Sequence, residues 1–333
     1  MRIGDDWHGS RVDRFLKAEH PTIPLSAWQK LMRKGRIRVN GGRVRGNVRL
    51  QKGDEVRIPP LTIETDGAES KSGAKVPRQW IRRMEQRILF QDEHVCIVGK
   101  PPGIVVHGGS GQPWGIIDLI RELPVFKTSK NLNPELCHRL DRDTSGCLVF
   151  GLNRQATRSL TEAFRMGQVR KRYLALVRGV PTPSRGVIDQ PLVKGKVRGG
   201  ERMVVVENGG DAARTRYRLV RRFHDAALVE MFPETGRTHQ IRVHGRWLGH
   251  PLAQDRKYGD REFNNRMKSL KLKRLFLHAE KVSFRHPITG DVIDVHAPLE
   301  QDLHSVVKRL ADGAGEDASE QESRRKKRRE RRR

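Results

Sequence analysis

Apolar residues recur along the chain with two different periods, and this pattern predicts a mixed α+β protein. Residues 12–16 and 28–32 carry apolar side chains at helical spacing. Short apolar runs bounded by glycine or turn residues predict buried strands at residues 95–98, 147–150 and 173–177. The sequence therefore favours two helices at the start of the chain and a larger region organised around strands.

Further elements follow from capping signals and from the return of the strand pattern. Asn153 is predicted to cap a helix that ends near Gly167. More strands are predicted at residues 203–206, 215–220 and 227–232.

Residues 1–60 form a small module in outline, with two helices followed by a hairpin. Asn40-Gly41 lies between two short runs of strand character, which is a strong hairpin signal. The order of elements resembles the S4-like domain of ribosomal and RNA-modifying proteins, and the resemblance implies RNA binding. The cations on and between these elements are the candidate RNA contacts: Lys30, Arg33, Lys34, Arg36 and Arg38. The alternative is a small structural α+β cap.

The composition divides the rest of the chain into three parts. Residues 61–79 are rich in Thr, Ser, Gly and charge, and we interpret them as a linker. Residues 80–312 form the predicted second domain. Residues 313–333 end in a like-charge block and are predicted to be a disordered basic tail, which adds nonspecific phosphate contacts or serves only for solubility.

The charge balance points to a polyanionic partner. The formal net charge is +28, and the last ten residues, 324–333, account for +8 of it, which leaves +20 on the rest of the chain. Nucleic acid is the leading candidate for such a partner. A membrane surface is the second, but no amphipathic apolar helix accompanies the charge.

Cysteine usage and the N-terminus bear on the compartment. The three cysteines form no C-x-x-C pair, which disfavours a cysteine zinc site or a redox pair. The first residues lack the apolar segment of a signal peptide, and no apolar run approaches transmembrane length. We therefore expect a cytoplasmic protein with reduced thiols. Separately, nothing in the sequence requires a partner chain, so we expect a monomer.

The candidate chemistry centres on residues 137–146, which hold two carboxylates, two arginines and a histidine and lead into the strand at 147–150. Catalytic groups often lie on such loops, supported by a rigid scaffold. From the residues alone, the favoured interpretation of Asp141 and Asp143 is that they are loop acids that cap backbone amides.

A family resemblance favours the catalytic interpretation. His138-Arg139-Leu140-Asp141, followed by Thr144-Ser145-Gly146, resembles the signature of the RluA-type pseudouridine synthases. Lys171-Arg172-Tyr173 and residues 233–244 resemble the second and third motifs of that family. Two positions depart from it, since the family usually carries Asn at the place of Gly99 and Gly-Asp at the place of Gln254-Asp255.

The resemblance implies a catalytic domain with a mixed, largely antiparallel sheet flanked by helices, placed after the S4-like domain. It also implies roles for individual residues. Asp141 would be the catalytic aspartate, Arg242 its ion-pair partner, and Tyr173 the ring that stacks on the target base. Arg139 would fill the space of the flipped base, with His138 and Ile241 as supporting residues. No cofactor and no metal are implied.

A predicted cap supports the placement of Arg242. Thr238 can cap a helix that continues to Gly249, so that Arg242 would lie in an early turn with its guanidinium free to meet a carboxylate.

The implied substrate is ribosomal RNA. The glycine run at residues 108–111 and the helix start at residues 114–117 resemble the C branch of the family, which forms pseudouridine in large-subunit ribosomal RNA. One alternative is a noncatalytic RNA-binding or ribosome-assembly protein that keeps the fold. Another is a metal-dependent RNA hydrolase using His138, Asp141 and His239, although the five-residue spacing of His239 and His244 suits a metal poorly.

Overall fold

The computed structural model describes residues 1–20, 23, 25–59, 76–108, 112–129, 131–198 and 201–313. The chain divides into two compact units, Met1–Gly73 and Ala74–Arg333. The predicted tail, apart from its first residue, and most of the predicted linker lie outside the described residues. Among the described residues, no helix combines the length and the apolar character that a membrane span requires.

The helices in these ranges are, in chain order, a 3-10 turn at Asp5–Trp7, then α1 (Val12–Glu19), α2 (Leu25–Arg33), α3 (Arg78–Glu85), α4 (Ile116–Arg121), α5 (Pro124–Lys127), α6 (Arg154–Arg165), α7 (Gln240–Trp247), α8 (Arg261–Ser269) and α9 (Gln301–Ala311). Helix α3 thus begins inside the stretch predicted as a linker.

The strands in the same ranges are β1 (Arg38–Val39), β2 (Gly42–Arg43), β3 (Val56–Arg57), β4 (Ile88–Gln91), β5 (Val95–Lys100), β6 (Glu135–Leu136), β7 (Ser145–Gly151), β8 (Arg170–Arg178), β9 (Arg185–Asp189), β10 (Leu192–Arg198), β11 (Glu201–Val206), β12 (Arg214–Arg222), β13 (Ala226–Pro233), β14 (Leu277–Arg285) and β15 (Val292–His296).

The first unit packs α1 and α2 with a small three-stranded sheet of order β2-β1-β3. Its core holds the apolar faces of both helices, including Phe15, Leu16 and Trp28. The predicted hairpin between β1 and β2 is confirmed. Asn40 and Gly41 have φ values of 49° and 77°, and two positive φ angles suit a tight turn whose twist matches that of its strands.

The second unit is built on a sheet of ten strands, ordered β4-β5-β7-β14-β8-β13-β12-β9, with β6 on β7 and β15 on β14. Every pairing is antiparallel except β7 with β14, where Ser145 lies opposite His278. The predicted fold, a mixed and largely antiparallel sheet flanked by helices, is therefore confirmed.

Three apolar clusters cover the sheet. One packs α4 against the central strands, with Phe150 and Tyr173 among its members. A second packs α6 against β5 and β7, with Val149 and Leu160 among its members, and a third packs α8 and α9 around Phe276. Strand β7, which follows the loop that holds Asp141, is therefore buried along its whole length.

The strands predicted at residues 203–206, 215–220 and 227–232 are also confirmed, but they belong to two different sheets. β12 and β13 pair with each other in the main sheet. β11 instead pairs with β10 in a separate two-stranded sheet, and a core of its own, including Val204 and Val243, packs this hairpin against α7.

One predicted cap is confirmed and another is wrong. The side chain of Asn153 accepts a hydrogen bond from the backbone N–H of Ala156 at the start of α6. Thr238 does not cap α7, because that helix begins at Gln240 and its N-cap is His239, which has φ 56° and makes no capping bond with its side chain. The side chain of Gln240 holds the preceding turn instead, since its Oε1 accepts from the backbone N–H of Arg237 at 3.0 Å.

The parallel junction between β7 and β14 requires a glycine. Gly146 has φ 108°, and a Cβ there would lie 2.2 Å from the carbonyl oxygen of Ala279. We expect Gly146→Ala to destabilise the second unit by roughly 3 kcal/mol or more, because backbone strain and overpacking add. The urea midpoint measures this effect. Gly236→Ala is the matched control, since that glycine has open space and no positive φ. Equal midpoints for the two variants would contradict the argument.

Candidate active site

Asp141 lies in the loop between β6 and β7 and lines a cleft of about 720 Å³. The cleft is bounded by this loop, by the end of α6, by β8, and by residues 233–242, which lead into α7. The Asp141 side chain is 19% exposed, so it is partly enclosed but open to the cleft. A carboxylate in this position is accessible to a ligand.

Arg242 is the nearest cation to Asp141. Its Nη1 donates to Asp141 Oδ2 at 3.1 Å. The other edge of the guanidinium, Nε and Nη2, makes two bonds to Asp255, at 2.7 and 2.8 Å. Arg242 therefore makes one hydrogen bond to Asp141, the predicted partner, whereas its bidentate pair of hydrogen bonds is to Asp255.

Asp255 was missed as a site residue, although its loop had been singled out as similar to a family loop. Its side chain is 0% exposed. Besides Arg242, it accepts from the backbone N–H groups of Lys257 and Tyr258 at 2.9 and 3.0 Å. A buried carboxylate with this many donors is fully satisfied and serves to hold the guanidinium.

The pKa values of this pair follow from their contacts. Burial alone would lower the pKa of Arg242, but its bonds to Asp255 and Asp141 outweigh burial and raise the pKa. Burial alone would raise the pKa of Asp255, but the Arg242 guanidinium outweighs burial and lowers the pKa. Both side chains are therefore charged near neutral pH, and the Arg242 cation bonds to the carboxylates of both Asp141 and Asp255.

The remaining predicted residues take different places around the cleft. Tyr173 on β8 and Ile241 on α7 are buried and line it. Burial raises the pKa of Tyr173, so its ring is neutral. Arg139 is exposed and also lines the cleft. These three residues therefore line the same cleft as Asp141, and their roles stay predictions.

His138 lines the same cleft, but its contacts are structural. Its Nε2 accepts from the backbone N–H of Val149 at 3.0 Å, and its ring stacks on Phe164 with centroids 4.2 Å apart. Burial, with the charge of Lys171 adding to it, lowers the pKa of His138 to about 3. The neutral ring therefore fixes the start of the Asp141 loop to the sheet.

Lys100 supports the other end of that loop and was also missed. It is fully buried, and its Nζ donates to the carbonyls of Pro101, Ile104 and Arg142, each at 2.9 Å. Burial lowers the pKa of Lys100 to about 7, while Asp143 and Asp141 act in the opposite direction. The lysine ties the backbone next to Asp141 to the turn after β5.

The five cations predicted to bind RNA belong to the first unit. All five are exposed: Lys30, Arg33, Lys34, Arg36 and Arg38. They lie on α2, on β1 and in the turn between them. Their side chains are therefore accessible to a polyanion.

No metal-binding group of three or more His, Cys, Asp or Glu side chains occurs in the described ranges. His244, the other histidine of the third motif, is buried, with Nδ1 next to Thr215 Oγ1 and Nε2 next to the carbonyl oxygen of Gln190. It belongs to the packing of α7.

Comparisons with known proteins identify the family of this chain. A family model described as RNA pseudouridylate synthase matches residues 94–246, and an S4 domain model matches residues 10–56. The human protein called RNA pseudouridylate synthase domain containing 4 superposes with a TM-score of 0.58 at 29% identity, over 69% of this chain and 95% of that one. These matches define the class: the chain belongs to the RNA pseudouridylate synthase family and is an RNA pseudouridine synthase with an S4 domain.

Particular relatives are similar over nearly the whole chain. Ribosomal large subunit pseudouridine synthase C of Pasteurella multocida is 42% identical over 310 residues, which cover 93% of each chain. The protein of the same name from Escherichia coli is 42% identical over 313 residues, 93% of this chain and 96% of its own.

The shared guanidinium leads to a prediction about Asp255. We expect Asp255→Asn to lower kcat for pseudouridine formation by about tenfold or more, because Arg242 loses the charged partner that holds it against Asp141. The initial rate on unmodified transcribed RNA measures the effect.

Asp260→Asn is the matched control for this prediction. Asp260 caps α8 and pairs with Arg178 near the surface, and asparagine caps a helix about as well as aspartate. We expect this variant to keep its activity. An Asp255→Asn enzyme as fast as the control would contradict the role of Asp255.

Proposed function

We propose that this enzyme converts specific uridines of large-subunit ribosomal RNA to pseudouridine, with Asp141 as the catalytic residue. The observation that carries the proposal is the placement of Asp141 at an open cleft, bonded to Arg242, which Asp255 holds from behind. The names of the relatives support the choice of RNA. The same proposal places the enzyme in the cytoplasm, with that RNA.

The reaction is an isomerisation that needs no external reagent. The bond from C1′ to N1 of the uracil breaks, the base turns, and C5 forms the new bond to C1′, after which C5 loses a proton and N1 gains one. The site must therefore hold a detached base and keep water from the sugar. Asp141 supplies the carboxylate that acts on the nucleotide, and Arg242 orients it.

The apolar walls of the cleft suit a flat, neutral base. Tyr173, Ile241 and Leu277 line it, and the volume is in the range of small-molecule sites. A uracil in this cleft has to leave the RNA stack, which costs a few kcal/mol. Stacking on Tyr173 would stabilise the flipped base by about 1–3 kcal/mol and so offset part of this cost. Arg139 is exposed and lines the cleft, which supports the proposal that it occupies the space that the flipped base leaves in the RNA.

The S4 unit and the net charge of +28 provide the attraction for RNA. Phosphate contacts by exposed lysines and arginines release counterions and are independent of sequence. Such contacts concentrate the substrate, while the cleft selects the uridine by the shape of its RNA loop.

Replacing Asp141 tests the catalytic proposal. In cells that lack this protein, we expect particular pseudouridines of large-subunit ribosomal RNA to be absent, to return with the wild-type enzyme, and to stay absent with Asp141→Asn. Pseudouridine mapping measures them. Asp143→Asn is the matched control, because Asp143 pairs with Arg142 and does not line the cleft. Marks restored by Asp141→Asn would overturn the role of Asp141, and marks present throughout would overturn the choice of RNA.

Charge removal tests the role of the S4 unit. We expect replacement of Arg33, Lys34 and Arg36 by glutamine to weaken RNA binding and to reduce the slope of log affinity against log salt by about 0.7–0.9 per lost contact. Binding measured from low to moderate salt gives the slope. The control exchanges lysine for arginine and arginine for lysine at the same three positions, which keeps the charge. An unchanged slope in the glutamine variant would contradict the role.

A further inference from the structure

His239 lies beside Asp141 and has no part in the function proposed so far. Its Nε2 is 3.8 Å from Asp141 Oδ2, the same oxygen to which Arg242 donates. In the part of the chain that the structure describes, the side-chain hydrogen bond to the Asp141 carboxylate goes to Oδ2, which leaves Oδ1 as the candidate to face the substrate. The separation of 3.8 Å is longer than a hydrogen bond, but bonds of this kind are often long without substrate and shorten when it binds.

The backbone at His239 is unusual. It has φ 56°, a left-handed conformation that is uncommon for residues other than glycine, although histidine is among those enriched there. Such conformations persist where the surrounding structure holds them, and they cluster at functional sites. Here the conformation ends the turn before α7 and brings the ring toward the loop of Asp141.

Two neighbours of His239, Tyr258 and Asp141, bear on which ring nitrogen carries the hydrogen. The backbone N–H of Val204 donates to the Tyr258 hydroxyl oxygen at 3.0 Å, and that oxygen lies 2.9 Å from His239 Nδ1. If Nδ1 carried the hydrogen, Nε2 would present a lone pair to the Asp141 carboxylate, which is unfavourable. If the Tyr258 O–H donates to Nδ1, then Nε2 carries the hydrogen and faces Oδ2 as a donor. The second arrangement satisfies all the groups.

Burial favours the neutral form of the His239 ring. Burial lowers its pKa; Arg242 and Lys257 act in the same direction, and Asp141 and Asp255 oppose them. A neutral ring adds a directed donor at Asp141 without adding a charge. Tyr258 is itself well held, since its backbone N–H donates to Asp255 and the Arg242 guanidinium lies 5.1 Å above its ring.

We propose that His239 is a positioning residue: Tyr258 holds it as the Nε2–H tautomer, and it joins Arg242 in fixing Asp141 Oδ2 so that Oδ1 faces the substrate. The proposal rests on the catalytic role proposed for Asp141. In this arrangement one loop, residues 255–258, orients both groups that donate to Asp141, because Asp255 bonds to Arg242 and Tyr258 bonds to His239.

The tautomer is measured directly by nitrogen NMR of the full chain with labelled histidine. The signals of His239 among the 13 histidines are assigned by their loss in His239→Gln. We expect the pattern of a neutral ring with hydrogen on Nε2 at neutral pH, and a mixture of tautomers in Tyr258→Phe. Tyr217→Phe is the matched control, since it removes another tyrosine hydroxyl, one bonded to the carbonyl of Pro183, and leaves His239 alone. A protonated ring, or hydrogen on Nδ1, would overturn the proposal.

Kinetics test the effect on the reaction. We expect His239→Phe to lower kcat about ten- to hundredfold with KM nearly unchanged, and His239→Gln, whose amide keeps a donor near the position of Nε2, to recover most of the loss. In the His239→Phe background, Tyr258→Phe should cause little further loss of kcat, because the two residues act through one contact. A change in KM alone, or full activity of His239→Phe, would overturn the proposal.

These outcomes separate this inference from the proposed function. An active Asp141→Asn enzyme would remove the catalytic role of Asp141 and, with it, the purpose assigned to His239, whatever the tautomer. An inactive Asp141→Asn enzyme together with a fully active His239→Phe enzyme would remove this inference alone.

Discussion

One buried guanidinium connects the parts of this active site. Arg242 bonds to Asp141, which is 101 residues earlier in the chain, and to Asp255, which is 13 residues later. Removing one partner of such a buried pair leaves a charge uncompensated, and this typically costs about 3–5 kcal/mol. The loop before β7, helix α7 and the loop after it are therefore held in one arrangement, and the geometry at Asp141 depends on all three.

The sheet makes that arrangement possible. The parallel pairing of β7 with β14 joins two antiparallel halves, and Asp141 lies four residues before this junction. Gly146 allows the close approach of the two strands, and Lys100 and His138 hold the loop at its two ends. The loop of Asp141 is thus fixed by a buried strand and by contacts to its own backbone, which is how a loop can keep a functional side chain in place.

Local signals in the sequence predicted local features well. The hairpin at Asn40-Gly41 and the cap at Asn153 depend on neighbouring residues only, and both are confirmed. The part that Asp255 and Lys100 play could not be predicted, because their contacts depend on the folded arrangement of several segments, and a buried charge looks like an exposed one in a sequence. The cap assigned to Thr238 was wrong for a related reason: Gln240 closes the turn with its side chain, which a rule for capping residues does not consider.

The charge distribution explains how a site with a carboxylate at its centre can accept RNA. Arg242 faces two carboxylates, so this centre carries a net negative charge. The exposed cations lie around it, with Arg139, Arg165 and Arg237 all lining the cleft. Phosphates are therefore attracted to the edge and repelled from the centre, whereas a neutral base meets no such barrier. The electrostatics alone thus favour an RNA that keeps its backbone outside the cleft and places only a base next to Asp141.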